Sequence, residues 1–280
     1  MASKHSAQPV ILPTQVAHSW GDDRHGYFSL SMRPLHILVF LLPIIVYYEI
    51  GLLGWIGGEN TTASLTSHEL LSRFFEVFGV LGLHLPAIAL VVTLLLQHLF
   101  TRKTWRIRPM VLLAMIAESA FLTGPLIILW MVLNAGGGGG GVATESEALA
   151  AVTGQGSLFS SEFQHRLMIA MGAGLYEEML FRLVLITMLH FLVTDVLRFN
   201  DKAGKIIGVV GAALAFLWIH DQIHLSTGGV DLRLAAFILI SGIYLGVLFL
   251  VRGFGIAVGV HLMWDLLAFV ILPGFRDMGS

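Results

Sequence analysis

Three short stretches of this chain carry ionisable side chains among neighbours that are almost all apolar. The first is Tyr176–Arg182, "YEEMLFR", which follows "MIAMGAGL" and runs into "LVLITMLHFLV". It brings two carboxylates, Glu177 and Glu178, and the guanidinium of Arg182. The second is "FLWIHDQIH", with His220 and His224 four residues apart and Asp221 beside the first. The third is "GIAVGVHLMWDLL", with His261 and Asp265 four residues apart in the middle of an apolar run. An ionisable side chain at the centre of a bilayer costs about 2.5–3.5 kcal/mol on insertion scales, so its presence there points to function.

Spacing gives these groups different jobs. On a helix, Glu178 and Arg182 stand one turn apart with the acid first, the favourable order for an ion pair. Glu177 lies about 100° further round. It has no partner on its own helix, and the small Ala173 and Gly174 lie one turn back. Glu178 therefore reads as paired and Glu177 as free to react; an ion pair that only orders the bundle is the alternative for Glu178 and Arg182. His224 reads as an ordinary histidine at the wet end of a span, and His220, nearer the apolar run, as the better candidate. For His261 and Asp265 the alternative is a polar pair that glues helices together. A carboxylate and two imidazoles suit general-base activation of water and stabilisation of an oxyanion. The set Glu177, His220 and His261 also has ligand types that zinc accepts.

These stretches need elements to hold them, and the composition says which. The 280 residues are 56% hydrophobic and only 12% charged, against about 25% charged in soluble domains. The expected class is an all-α membrane protein. Its apolar runs reach the roughly 20 residues a span needs. The net charge of -2 gives no sign of a nucleic-acid partner, and the absence of cysteine excludes disulfides, thiol nucleophiles and Cys-based metal sites.

The pattern predicts a polytopic bundle of about seven transmembrane helices. Residues 1–32 read as a polar cytoplasmic tail without a signal-peptide pattern, and residues 33–134 as three spans. Between the first two, Leu70, Leu71, Phe74, Phe75 and Phe78 share one helical face, and His68, Glu69, Ser72, Arg73 and Glu76 the other. That fits an additional interfacial helix, or else the wet end of the next span. Residues 135–162 open with Gly136–Gly141 and read as a flexible external loop. Residues 163–272 hold the three motifs and the remaining spans, with a loosening expected near Gly172 and Gly174, and 273–280 are a tail. Gly204/Gly208, Gly242/Gly246 and Gly255/Gly259 are spaced for close helix packing in lipid.

Basic residues set the orientation. Lys4, Arg24 and Arg33, then Arg102, Lys103, Arg106 and Arg108, then Arg198, Lys202 and Lys205 fall on one side; Glu59, Glu69, Glu76, Glu145, Glu147 and Glu162 fall on the other. The N-terminus is expected in the cytoplasm, the site toward the outer face, and the protein in a bacterial cytoplasmic membrane.

In order, "EEMLFR" fits E-E-x-x-x-R, Phe216–His220 fits F-x-x-x-H, and His261–Asp265 fits H-x-x-x-N/D. The three motifs together resemble the CPBP family of glutamic-type intramembrane endopeptidases, which includes the CaaX proteases. The resemblance covers about residues 163–272. It implies that Glu177 with His220 activates the attacking water, that His261 with Asp265 steadies the oxyanion, and that Glu178 and Arg182 support the site. Asp265 stands where the CaaX enzymes carry Asn, and an aspartate donates a hydrogen bond only when protonated; orienting His261 is its alternative role. The expected reaction is peptide hydrolysis near a membrane-embedded or membrane-proximal segment of another protein, an exported one on the charge pattern. No cofactor is expected, with zinc as the alternative. The rival functions are a non-enzymatic scaffold or immunity protein, and a proton-coupled transporter in which buried Glu and His relay protons.

Overall fold

The computed structural model describes residues 26–53, 84–135, 161–220, 223 and 229–271. These residues form helices and their connections, with no strand among them. The expected interfacial helix, almost all of the glycine-rich loop, His224, Asp221 and the C-terminal tail lie outside the described residues.

In chain order the helices are α1 (Tyr27–Ser31), α2 (Pro34–Leu52), α3 (Leu85–Thr101) and α4 (Pro109–Asn134). A long helix, α5, follows: it is α-helical over Ser161–Glu178, widens into a π-helix over Met179–Ile186, returns to α over Thr187–Phe191 and ends as π over Leu192–Val196. Then come α6 (Asp201–Trp218), α7 (Leu232–Arg252) and α8 (Phe254–Asp265, continuing as π over Leu266–Ile271). The sequence explains several of the boundaries. α2, α3 and α4 each have proline in their first turn, where its missing N–H costs nothing. Asn200 caps α6 by accepting from the Ala203 amide, and Asp231 caps α7 by accepting from Arg233 and Leu234. A single residue, Gly253, turns α7 into α8, at a φ of 82° that side chains rarely adopt.

Four helical stretches are long and apolar enough to cross a membrane: Pro34–Leu52, Pro109–Asn134, Phe163–Val196 and Leu232–Arg252. Leu85–Thr101 and Phe254–Ala268 are apolar but shorter. The chain is an all-α integral membrane protein. Each predicted span within the described residues has its helix, although α6 is not among the apolar ones by this measure. The described part of the tail predicted over residues 1–32, from residue 26, holds one short helix, α1.

α8 is the axis of the bundle. It packs against α4, α5, α7 and α2, and every residue from Phe254 to Leu262 is buried. One core joins α2, α3, α5 and α8; a second joins α4, α7 and α8; a third joins α5, α6 and α7. Helix association in lipid rests on close contact more than on hydrophobic burial, and the paired glycines supply that contact. A Cβ on Gly208 would lie 3.2 Å from the Ile186 carbonyl oxygen of α5, and one on Gly242 would lie 3.3 Å from the Ala213 Cα of α6.

The loosening expected near Gly172 and Gly174 is not there. α5 stays α-helical through both, and the backbone widens later, from Met179. Gly174 serves packing instead: a Cβ there would sit 3.0 Å from both the Cα and the N of Leu262 on α8.

Candidate active site

The α5–α8 crossing that Gly174 permits lies one turn from Glu177 and Glu178. Both acids are buried, at 8% and 0% exposure, and so are Arg182, His261 and Asp265. Arg182 Nη1 lies 2.9 Å from Glu178 Oε1, the ion pair the spacing predicts. The same oxygen accepts from His261 Nδ1 at 2.7 Å, so Glu178 joins its own helix to α8. With Nδ1 committed, His261 presents Nε2 to the other two acids: Glu177 Oε2 at 3.7 Å and Asp265 Oδ2 at 3.5 Å. Glu177 thus faces the imidazole without a hydrogen bond, as a carboxylate with no pairing partner on its own helix.

The remaining shell is aromatic. The Arg182 guanidinium lies over the Phe216 ring at 4.5 Å, where the face of the π-system attracts a cation. Its Nη2 donates a long hydrogen bond to the Gly242 carbonyl at 3.5 Å. Phe216 also meets the His261 ring edge-on at 6.0 Å, and Phe181 edge-on at 5.2 Å. An arginine buried among carboxylates and ring faces retains its charge at much lower cost than one facing lipid.

Five of the six predicted site residues therefore converge: Glu177, Glu178, Arg182, His261 and Asp265. His220 stands apart from them. Its Nδ1 donates to the Phe216 carbonyl at 2.6 Å and its ring lies 4.5 Å from that of Phe216, so one phenyl ring separates it from His261. Glu177 and His220 do not touch directly; the imidazole beside Glu177 is His261. This also bears on zinc. The expected alternative ligands Glu177, His220 and His261 are not gathered about one point, and no group of three or more His, Asp or Glu among the described residues is arranged to hold a metal ion.

Both helices that carry the site change geometry at the same place relative to their acids. α5 becomes π immediately after Glu178, and α8 immediately after Asp265. Single π turns inside α-helices are frequent at functional sites.

Two polar clusters escaped the sequence reading. On α2, Glu49 accepts from Tyr176, the residue before Glu177, at 2.7 Å, and its other oxygen pairs with His84. Between α4 and α7, Glu118 takes Arg252 in a two-point pair at 2.6 and 2.8 Å and accepts from Tyr27 of α1. Both glutamates sit alone in apolar runs, so the reasoning that selects Glu177 selects them too.

Residues 159–267 match the family model of the Rce1-like type II CAAX prenyl endopeptidases. That segment is similar to the Rce1-like domain. It spans α5 to α8 and contains all six predicted site residues. The matched segment includes both helices of the α5–α8 crossing. Comparison with curated proteins and with solved structures gave no match.

Proposed function

We propose that the chain is an intramembrane endopeptidase in which Glu177 is the general base. The observation that carries this is the position of Glu177: buried, without an ion-pair partner on its helix, and 3.7 Å from His261 Nε2. Glu177 takes a proton from water as the water oxygen bonds to the scissile carbonyl carbon. The C–N bond then breaks, and the amine leaves with the proton that Glu177 returns. His261, with Nδ1 donating to Glu178, donates from Nε2 to the oxyanion when both its nitrogens are protonated, and the carboxylates of Glu177, Glu178 and Asp265 balance that charge. Asp265, whose Oδ2 lies 3.5 Å from Nε2 without a hydrogen bond to it, orients the ring by its charge and leaves the Nε2–H to the oxyanion. This role fits an aspartate better than donation does, because an ionised carboxylate only accepts. Glu178 and Arg182 hold His261 in place. His220 completes the site from the α6 end, a role supported by the Phe216 ring it shares with His261.

The mechanism written here uses no metal: Glu177 alone activates the water, and His220, one of the three alternative zinc ligands, stands beyond the Phe216 ring from His261. Activity is expected to persist in a strong chelator; loss on chelation with recovery on adding zinc would overturn this.

The substrate is a membrane-attached protein. The family description names prenylated CAAX tails, in which the lipid is carried by cysteine. The loop charges of this chain favour a cytoplasmic N-terminus, a site toward the outer face, and an exported protein's membrane-proximal segment as substrate. The test is hydrolysis by purified protein in proteoliposomes of two quenched fluorescent peptides. One is anchored by an apolar span of roughly 20 residues, the other by a prenyl group on a CAAX cysteine. Cleavage of the span-anchored peptide is expected. Cleavage of the prenylated peptide alone would move the substrate to the CAAX class and leave the mechanism standing; cleavage of neither would overturn the peptidase reading.

A further inference from the structure

The Rce1-like segment begins at residue 159, yet a residue of α2, far outside it, reaches the residue next to the proposed base. Tyr176 is fully buried. Its ring packs on Tyr48 of α2 at 4.9 Å between centroids, and its hydroxyl donates to Glu49 Oε1 at 2.7 Å. The second oxygen of Glu49 is taken by His84, at the start of α3. Glu49 is thereby fixed from two sides, and it fixes Tyr176.

On an α-helix, Tyr176, Glu177 and Glu178 project at successive steps of about 100°. Tyr176 is tied to α2 on one side, and Glu178 is tied to α8 through His261 on the other. Glu177 projects between these two attachments. Both lie within three residues of Met179, where the backbone leaves α geometry for the wider π turn. A helix with its side chains has a radius of roughly 5–6 Å, so a rotation of about 10° moves a carboxylate by about 1 Å. A misplacement of that size costs about 10²-fold in rate.

We infer that Glu49 and Tyr176 are positioning residues of the peptidase: the Glu49–Tyr176 hydrogen bond, braced by His84, sets the rotation of α5 and so aims Glu177 at the substrate. The N-terminal helices are then part of the working site and not only a membrane anchor. The inference rests on the peptidase reading above.

The test measures kcat and KM for the span-anchored peptide, per folded molecule, in Tyr176→Phe, Glu49→Leu, Glu49→Gln and the double variant Glu49→Leu/Tyr176→Phe. Tyr176→Phe preserves the ring packing on Tyr48 and removes only the hydroxyl. It is expected to lower kcat about ten-fold or more, with KM and melting temperature unchanged. Glu49→Leu should do the same. Glu49→Gln keeps an oxygen that accepts from Tyr176 and an amide that donates to a neutral His84, and should return kcat to near wild type. The double variant should be no slower than the slower single one, because both break one interaction. Wild-type kcat in Tyr176→Phe, or Glu49→Gln as slow as Glu49→Leu, would overturn the inference, as would losses that vanish once rates are expressed per folded molecule. A wild-type protein that cuts neither peptide refutes the peptidase reading itself. An active wild type with inactive Glu177→Gln and unimpaired Tyr176→Phe refutes the positioning role alone.

Discussion

Glu177 and Glu178 are adjacent and chemically identical, and their surroundings make them different. Glu178 has no exposed surface and binds both Arg182 and His261 through one oxygen. Glu178→Gln leaves a buried guanidinium without its counter-charge, a change that costs about 3–5 kcal/mol when a buried pair loses one partner. A lowered melting temperature in detergent is expected, together with loss of cleavage as His261 loses its anchor; unchanged stability would contradict the pairing. Glu177→Gln removes a carboxylate that pairs with nothing on its own helix, and here the melting temperature should hold while the rate falls by about 10²-fold or more. The motif spacing made this division legible before any coordinates. It could not show which histidine each acid would meet. Four residues along one helix is a local fact, whereas the His261–Glu178 bond spans 83 positions in the chain. The assignment of His220 to the water beside Glu177 rests on resemblance; the imidazole in direct reach of Glu177 is that of His261, at 3.7 Å.

The helices hold these residues through a few close contacts. Gly174→Ala introduces a Cβ 3.0 Å from the Leu262 backbone. Backbone yields little, so α5 and α8 must separate, at a cost of about 1–3 kcal/mol. Separation pulls Glu177 away from His261, and the variant is expected to insert, stay helical and lose most of its activity; full activity would show that the crossing need not be tight. At the other end of α8, Arg252 and Glu118 fasten α7 to α4 and reach Ser31 and the Phe28 ring of α1. Arg252→Met alone strands the Glu118 carboxylate and should destabilise more than the pair Arg252→Met/Glu118→Leu, because a buried ion pair is often replaceable by apolar side chains of similar size. Thermal melts of the two variants decide this, and a less stable double variant would refute it. The small-residue spacings announced the tight helix pairs. The π segments were not legible: Met179–Ile186 contains neither glycine nor proline, and nothing in its pattern separates it from an ordinary apolar helix.

At the scale of the molecule, α8 lies among α2, α4, α5 and α7, and the site is buried between it and α5. The apolar lengths made the membrane class and the helix order readable. The polar contacts made by the N-terminal half were not, because Glu49 and Glu118 each stand alone in an apolar run without a second group at helical spacing to mark them. The proposed orientation rests on the loop charges, and the cysteine-free chain makes it simple to measure. Thr104→Cys, in the basic and exposed α3–α4 connection, should react with an impermeant thiol reagent only from the cytoplasmic side, and Ser226→Cys only from outside; labelling of both from one side would overturn the topology. The central claim is that a carboxylate on α5 cuts other membrane proteins. The most direct measurement is terminal-peptide proteomics on host membranes carrying either the wild-type protein or Glu177→Gln at equal levels. The account predicts new protein termini near membrane segments with the wild type and their absence with Glu177→Gln. Identical termini in the two membranes, with both proteins folded, would contradict it.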